Sequence, residues 1–542
     1  MNPNGTLTLA KASQWVPQNG QKTLAFTVAR GADTPTGALA VHVSGLPAGV
    51  TAADVPVDAS ATGGTLTFSA DTSAVLGSST GVDVELVAGS QMLDTKPFTV
   101  KVSGAPGTLD TTFGTGGRVV FPLPDPVVAA TTGNGYTRAV VQYPASAGAD
   151  AGKFLVAAEL ETTGTASTTR KIAVVRLAAD GTPDTSFGTA GYALVDGSPA
   201  TQFSPVSIAL DSQLRIVVMA YRIDSAGSAC IPFVARLTTT GTLDGGFTVY
   251  NSGVPGGYCG TPRSVVVLPG DKIEVVGTWN NPDQSQRPLL LQLNSDGTPD
   301  NSAFAGPSDA VRLPNPDTDK MSFLLFGQML LDSAGHYVVT GSKCDGGWNA
   351  AYAACESAVG RVTAAGAWDT TFGSAGAGNL GYSALTFGTT SNGNIQGFNA
   401  SIFDASGNIV SVGNDENYAH GTLARFVGTT GAIDTTFGTS GRISPVLVAG
   451  GSVQEIDDVQ IDEDGNVLGI GYANAGGPLI AVTRYSSAGV LDTTYGTGGV
   501  GTAVTSALGP HGLLQADGRL LVMGAYPRGS AGNDVAIWRF WP

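Results

Sequence analysis

One short motif recurs seven times between residue 107 and the end of the chain, and this repeat limits the folds open to the sequence. Its fullest copy reads Gly107-Thr-Leu-Asp-Thr-Thr-Phe-Gly114. The aspartates of the seven copies are Asp110, Asp184, Asp244, Asp300, Asp369, Asp434 and Asp492, so successive copies lie 56 to 74 residues apart. Self-similarity of this kind is typical of solenoids and propellers.

Two further elements accompany the motif. A turn followed by an apolar run, as in Gly407–Gly413, also occurs seven times, and a run with an arginine, as in Leu423-Ala-Arg-Phe426, precedes most copies. Gly, Asp and Asn turns separate these runs, which predicts about four short antiparallel strands in each repeat. This pattern favours a β-propeller over a solenoid.

The two ends of the repeat region complement each other. The region begins with the motif half of a repeat at Gly107 and ends with the preceding half at Gly518–Pro542. Such an offset lets the first and last strands pair and removes a free sheet edge. We therefore predict an all-β chain in which residues 104–542 form a seven-bladed β-propeller with circularly offset closure.

These repeated residues resemble the delta-60 repeat of bacterial, often secreted or surface-associated, proteins. The resemblance covers about residues 105–542. It implies a propeller-like fold and supplies no set of catalytic residues. The fourth copy departs most, because Gln292 stands in place of the repeated arginine and Ala303 is inserted before Phe304.

Residues 1–103 lack the repeat and alternate apolar with polar residues in six or seven short runs, as in Leu39–Val43 and Val82–Leu86. This alternation predicts an immunoglobulin-like β-sandwich. The segment Gly45-Leu-Pro-Ala-Gly-Val50 is similar to one common in bacterial Ig-like domains. We expect this module to act as a spacer.

Composition excludes two classes of partner. The chain carries 27 Lys and Arg against 43 Asp and Glu, a net charge of −16, whereas nucleic-acid binding needs clustered cations. No run approaches the 18 apolar residues that indicate a membrane-spanning helix. The first residues show neither the basic nor the apolar segment of a signal peptide.

Four cysteines form two local pairs, Cys230 with Cys259 and Cys344 with Cys355. Two loop-stapling disulfides would require an oxidising compartment, so the pairs predict a secreted or cell-surface protein. Four reduced, buried thiols are a less favoured alternative, and a zinc site is less favoured still.

The repeated aspartates and arginines have a structural interpretation. An Asp in this motif can accept hydrogen bonds from backbone N–H groups two or three residues later, and the repeated arginine can pair with it. We expect one bidentate pair per blade, with the aromatic residue packed between blades, rather than a ring of metal ligands. Asp462–Asn466 opens like a calcium loop but lacks the later Glu, so a turn is favoured over calcium and no cofactor is expected.

Candidate binding residues come from aligning the innermost strand of each predicted blade, which lines the central channel. The aligned positions are Arg138, Arg263, Gln328, Asn399, Asp457, Asp458 and His511. They differ chemically from blade to blade, so a symmetric metal site is not predicted. A second set lies on the loops that follow the repeated strands and could stack on sugars or grip a protein: Trp279, Trp348 and Tyr352.

Together these features favour binding over catalysis. We expect a non-enzymatic recognition, adhesion or scaffold protein whose propeller contacts a protein or glycan at a surface. Two alternatives remain open: a secreted hydrolase or lyase with its site at the channel mouth, and a self-assembling subunit of a surface layer or fibre.

Overall fold

The computed structural model describes residues 4–123, 134–163, 168–195, 202–223, 230–251, 260–280, 286–302, 310–313, 322–325, 327, 329–345, 354–373, 380–387, 396–415, 417–506, 509–529 and 532–542. The chain divides into two compact units: residues 1–117 together with 540–542, and residues 118–539. The regular structure of both is β-strand, with a single short 3-10 helix among the described residues. Across the described ranges, no helix combines the length and apolarity needed to cross a bilayer.

The first unit holds nine strands. They are β1 Thr6–Leu9, β2 Ser13–Pro17, β3 Gly20–Ala29, β4 Leu39–Ser44, β5 Val50–Ala52, β6 Val55–Val57, β7 Gly63–Ala70, β8 Ser79–Ala88 and β9 Gln91–Ser103. One sheet has the order β1-β3-β7-β5 and the other β2-β9-β8-β4-β6. The alternating residues of both sheets fill one core, in which the rings of Phe68 and Phe98 stack at 5.7 Å.

The repeat region supplies the remaining strands. The first of them are β10 Arg118–Phe121, β11 Asn134–Gln142, β12 Phe154–Thr163, β13 Thr168–Leu177, β14 Tyr192–Val195, β15 Gln202–Leu210, β16 Ile216–Ile223, β17 Cys230–Leu237, β18 Gly260–Val267, β19 Ile273–Asn280, β20 Gln286–Leu293 and β21 Ala310–Arg312. A 3-10 helix, Ala145–Asp150, lies between β11 and β12.

The later strands continue the pattern. They are β22 Ser322–Leu325, β23 Leu330–Leu331, β24 Tyr337–Asp345, β25 Ala354–Val362, β26 Tyr382–Leu385, β27 Gly397–Phe403, β28 Ile409–Asn414, β29 Gly421–Phe426, β30 Arg442–Ile443, β31 Gln454–Ile461, β32 Val467–Asn474, β33 Pro478–Tyr485, β34 Val500–Val504, β35 His511–Leu514, β36 Leu520–Pro527 and β37 Asn533–Phe540.

Within the described residues, these strands form seven separate antiparallel sheets. Five follow chain order: β11–β14, β15–β17, β18–β21, β27–β30 and β31–β34. The sixth has the order β22-β24-β25-β26, and the short β23 also pairs with β24. The seventh has the order β10-β37-β36-β35, so the first strand of the region pairs with the last. Val120 faces Ala536 in that pair. The expected pairing of the two ends is therefore present.

Neighbouring sheets share apolar clusters. First strands contact each other between β11 and β15, β15 and β18, β27 and β31, β31 and β35, and β35 and β11, whereas β22 contacts β20 and β27 contacts β24. The sheet that contains β35 contacts two others. Toward the sheet of β31–β34, Gly512 donates its N–H to Asp458. Toward the sheet of β11–β14, Arg539 Nη1 donates to the carbonyl of Ala179 at 3.1 Å. Contacts between consecutive sheets thus return to the first sheet.

The repeated aspartate locks a turn, as expected. In all seven copies one oxygen, Oδ1, accepts the backbone N–H two residues later at 2.9–3.1 Å. In five copies the other oxygen forms an ion pair with the Nε of the repeated arginine at 2.7–3.0 Å; these arginines are Arg176, Arg236, Arg361, Arg425 and Arg484.

In four copies the expected bidentate geometry is wrong, because one nitrogen of the arginine donates to the next sheet instead; in the copy of Arg484, both Nε and Nη2 donate to Asp492 Oδ2. Arg361 Nη1 donates to the carbonyl of Gly428 at 2.8 Å, and its guanidinium lies 4.8 Å from the centre of the Phe372 ring. Arg176, Arg236 and Arg425 repeat this arrangement. A Cβ on Gly431, which has φ 73°, would lie 2.7 Å from that ring, so the turn needs glycine here. We call the Arg–Asp–aromatic unit the sheet latch.

The fourth copy replaces the latch arginine with another polar pair. Gln292 faces Glu274 across β19 and β20 and donates to its Oε2 at 2.9 Å. In the five sheets with a latch arginine listed above, the residue facing it is Leu or Val. Lys272 pairs with Asp300 at 2.5 Å instead. This copy is therefore irregular, as its sequence indicates.

Candidate functional site

A polar cavity of about 260 Å³ lies where the first strands of the sheets converge. Among the described residues it is lined by Arg138, Ser204, Pro205, Val206, Tyr221, Arg263, Gly327, Asn399, Ala400, Asp457, Asp458 and His511. All the aligned channel positions in the described part of the chain are present: Arg138, Arg263, Asn399, Asp457, Asp458 and His511. Gln328 lies outside the described residues, although its neighbour Gly327 lines the cavity.

A β-bulge positions most of these side chains. Five first strands shift register by one residue at the equivalent place, and the extra residues are Arg138, Val206, Arg263, Asn399 and Asp457. A bulge leaves its extra residue outside the ladder and re-aims the side chain. These five residues keep accessible surface, while the residues on either side are buried except for Asp458. In these five sheets the bulge therefore turns one residue into the cavity.

Hydrogen bonds between neighbouring first strands hold the bulges in place. Asn399 Nδ2 donates to the carbonyl of Ile456 at 3.1 Å, next to the bulged Asp457. Gly327 has no room for a side chain, because a Cβ would lie 2.7 Å from the carbonyl oxygen of Asn399. The cavity wall is therefore built from contacts between sheets.

One side of the cavity is acidic. Asp458 Oδ2 accepts the N–H of Gly512 at 2.8 Å, and its Oδ1 accepts the N–H of Val459 at 2.7 Å. Burial raises the pKa of Asp458 to about 6, and the two backbone hydrogen bonds oppose that rise. The pKa of Asp457 is also raised well above its usual range by burial and by the charges of Glu455 and Asp458. Asp457 Oδ2 is buried without a hydrogen-bond partner.

His511 lies beside these carboxyls, with Nδ1 3.9 Å from Asp458 Oδ2. Its side chain is partly buried and keeps 30% of its surface accessible. Burial, together with the charge of Arg138, lowers its pKa to about 4. At neutral pH the imidazole is therefore uncharged.

Two arginines bring positive charge to the cavity. Arg138 Nη2 donates to Glu159 Oε2 at 3.0 Å, and the buried Glu159 also accepts the hydroxyl of Ser204 at 2.6 Å. Burial lowers the pKa of Arg263, and the nearby Tyr221 opposes this effect. Sequence alignment did not identify Glu159, Ser204 or Tyr221, because they flank the aligned positions and carry no repeated signature.

Acid, amide, imidazole and guanidinium groups thus meet in one small cavity. Within the described ranges, no set of three or more His, Cys, Asp or Glu side chains is arranged to hold a metal ion. The arrangement can hydrogen-bond and charge-match a small polar ligand.

The remaining candidates lie elsewhere. Cys344 and Cys355 face each other across β24 and β25 and form the expected disulfide. Cys259, Trp348 and Tyr352 lie outside the described residues, so the second expected disulfide and these two loop aromatics stay predictions. Trp279 and Cys230 fall at the ends of β19 and β17, where only the backbone is described.

Comparison with known families supports a propeller-type repeat protein. Residues 152–187 and 271–302 match the family model described as a domain of unknown function (DUF5122) beta-propeller. Each match runs from a repeated apolar strand through the following aspartate motif. None of the curated proteins is significantly similar in sequence.

Three solved structures show distant similarity. The exo-beta-1,3-galactanase 1,3Gal43A from Clostridium thermocellum is 11% identical, with 78% of this chain and 96% of that chain covered and a TM-score of 0.28. The WD40 domain of SCAP from fission yeast is 10% identical (97% and 94% covered, TM-score 0.19). Domains 5-6 of the S-layer protein SbsC are 12% identical (50% and 89% covered, TM-score 0.15). Superpositions this weak assign neither fold nor function.

Proposed function

We propose that the chain is a secreted or cell-surface recognition protein without enzymatic activity. In this proposal, residues 104–542 form a closed seven-bladed β-propeller of delta-60-type repeats that binds a protein or glycan at a surface. Residues 1–103 form an Ig-like spacer. The Cys344–Cys355 disulfide supports an oxidising compartment.

The convergence of the five bulged positions on one polar cavity carries the binding proposal. A repeat that only needed structural stability would fill these positions with similar residues, whereas they are Arg, Val, Arg, Asn and Asp. Chemically different groups at equivalent positions give an asymmetric site, which suits one orientation of one ligand.

Array binding tests this function. The purified chain is applied to glycan and peptide arrays, in parallel with Asp457→Asn and with Asp517→Asn, a control in the turn before β36. We expect retention on a defined subset of spots, weakened at least tenfold by Asp457→Asn only. Absence of retention, or equal retention of all three proteins, would contradict a recognition role for the cavity.

An enzyme at the same cavity is the second candidate. It is favoured by Asp458, whose pKa of about 6 lets its carboxyl give or take a proton just below neutral pH, beside the uncharged His511. Turnover of a retained glycan or peptide, lost in His511→Ala, would favour the enzyme; binding without turnover favours the recognition protein.

A further inference from the structure

We propose that the cavity binds one neutral sugar ring through its hydroxyl groups. The hydroxyls hydrogen-bond with Arg138, Asn399 and Asp457. The C–H groups of the ring lie against Val206 and Tyr221. This inference rests on the proposed recognition function and names the ligand class of the same cavity of about 260 Å³.

The acidic side of the cavity favours a hydroxyl over a charged donor. Asp457 is the bulged residue of β31 and keeps accessible surface, while its Oδ2 is buried without a hydrogen-bond partner, which costs free energy. Burial and the charges of Glu455 and Asp458 raise the pKa of this carboxyl. A hydroxyl donates to the ionised carboxyl and accepts from the protonated one, so it pairs with either form.

Arg138 brings hydrogen-bond donors to the same cavity. Its Nη2 donates to Glu159 Oε2 at 3.0 Å, but Glu159 also pairs with Arg170, whose Nε lies 3.2 Å from Oε1. The positive charge of Arg138 therefore persists, and it acts on His511. A guanidinium has five N–H donors, and 43% of the Arg138 side-chain surface is accessible, so it can also donate to a ligand oxygen.

Two further lining groups both donate and accept. Asn399 Nδ2 donates to the carbonyl of Ile456 at 3.1 Å, and its Oδ1 is an acceptor. His511, uncharged at neutral pH, has one donor and one acceptor nitrogen. The cavity thus mixes donors with acceptors, and a ring that carries several hydroxyls matches such a mixture, since each hydroxyl is both.

Part of the cavity wall is apolar. Val206 occupies the bulged position that the four other bulged strands fill with Arg, Asn or Asp. Pro205, Tyr221 and Ala400 line the cavity with it. A sugar ring has C–H faces as well as hydroxyl edges, so it suits a wall that is apolar in one part and polar in another.

Charge and size favour one neutral ring. Arg138 and Arg263 line the cavity together with Asp458, whose pKa of about 6 leaves it ionised at neutral pH. A cation would therefore lie near guanidiniums and an anion near a carboxylate, and such like-charge contacts are unfavourable. Pockets for drug-sized molecules usually span about 300–1,000 Å³, so this smaller cavity suits a free monosaccharide or the terminal residue of a glycan.

Calorimetry with matched sugars tests the proposal. The intact chain is titrated at pH 7 with methyl glycosides of the common hexoses, 6-deoxyhexoses and pentoses. Each sugar that binds is compared with its uronic acid, its amino sugar and its monodeoxy analogues. We expect at least one neutral glycoside to bind, and the anionic and cationic analogues to bind at least tenfold more weakly. At least one monodeoxy analogue should also lose tenfold, because a lining group then lacks its partner.

Variants of the chain locate the sugar. Asp457→Asn should weaken binding at least tenfold. Val206→Trp should abolish binding, because the larger side chain fills the cavity from a position that is already partly exposed. Asp517→Asn, in the turn before β36, should bind as the unmodified chain does. Thermal melts establish that each variant is folded.

The glycoside titrations and the arrays together separate the sugar inference from the recognition function. An amino sugar or uronic acid that binds as tightly as its neutral parent overturns the neutral ring. Array retention that requires Asp457 but is confined to peptides, or to glycans of which no methyl glycoside binds, overturns the single ring; in all these cases the recognition function stands. Equal sugar binding by all variants, or no binding to any glycoside or array, overturns both.

Discussion

At the residue scale, repetition made most of the cavity predictable. Aligning the repeats placed Arg138, Arg263, Asn399 and His511 at equivalent positions, and the structure brings all four to one cavity. The bulges were not predicted, because one extra residue in a strand leaves no signature in composition or periodicity. Without the bulge, Asp457 and Asp458 would point to opposite faces of β31, whereas both line the cavity.

The same scale contains the sheet latch, which predicts a large effect of one substitution. Arg361→Gln reproduces the residue of the irregular fourth copy and leaves the buried Asp369 without its ion pair at 2.7 Å. We expect a loss of about 3 kcal/mol in the free energy of unfolding, measured by urea denaturation. The exposed Arg442→Gln should cost under about 1 kcal/mol. Equal effects of the two changes would contradict the latch.

Glu274 predicts a pH effect specific to the fourth copy. Burial raises its pKa from 4.5 to about 8, against a hydrogen bond from Gln292. The folded state therefore binds this proton more tightly than the unfolded state, and stability falls as pH rises from about 4.5 through 8. Between pH 5 and pH 9, Glu274→Gln should melt with a smaller decrease in Tm than the unmodified chain. Parallel Tm curves for the two proteins would show that Glu274 ionises normally.

At the element scale, the strand pattern was predictable and the element ends were not. Alternation and turn residues predicted the hairpins, and the offset of the repeat predicted that β10 pairs with β37. The division between the two compact units falls after Gly117 rather than at residue 103. The first copy of the motif accounts for this later boundary. The carbonyl of Thr108 accepts the N–H of Trp541, and Phe113 is fully buried. All three residues belong to the first unit.

The hairpin of β24 and β25 predicts the effect of its disulfide. Cys344 and Cys355 close a loop with a sequence separation of 11 residues. Removing the bond in Cys344→Ser/Cys355→Ser should cost roughly 2–3 kcal/mol on the chain-entropy estimate. The double variant should no longer lose stability when a reductant is added, except through any other disulfide. Unchanged unfolding of the variant would show that the strand pairing alone closes the hairpin.

At the scale of the whole molecule, the buried carboxyls predict an optimum of stability in mild acid. The hydrogen bond from Lys272 lowers the pKa of Asp300 to about 2. For Asp369, Asp434 and Asp492, burial opposes ionisation, but hydrogen bonds from the following threonine and the latch arginine prevail and lower the pKa. The stability from these groups is present above about pH 4 and is lost as pH falls through their folded pKa values.

The pH dependences of these two sets of carboxyls have opposite signs, so stability reaches a maximum at an intermediate pH. Glu274 and Asp458 destabilise the fold as pH rises, while the latch aspartates destabilise it as pH falls below about 4. We expect Tm, followed by circular dichroism, to be highest between about pH 4 and pH 6. A Tm that rises steadily from pH 3 to pH 9 would contradict these charge assignments.

The pairing of β10 with β37 is the central claim, because the proposed closed propeller depends on it. Val120→Cys/Ala536→Cys places thiols at facing positions separated by more than 400 residues. After oxidation, peptide mass spectrometry should detect a disulfide-linked pair that contains residues 120 and 536, and the Tm should rise. Failure of these cysteines to join in the folded chain, with both thiols open to alkylation, would contradict the closed arrangement.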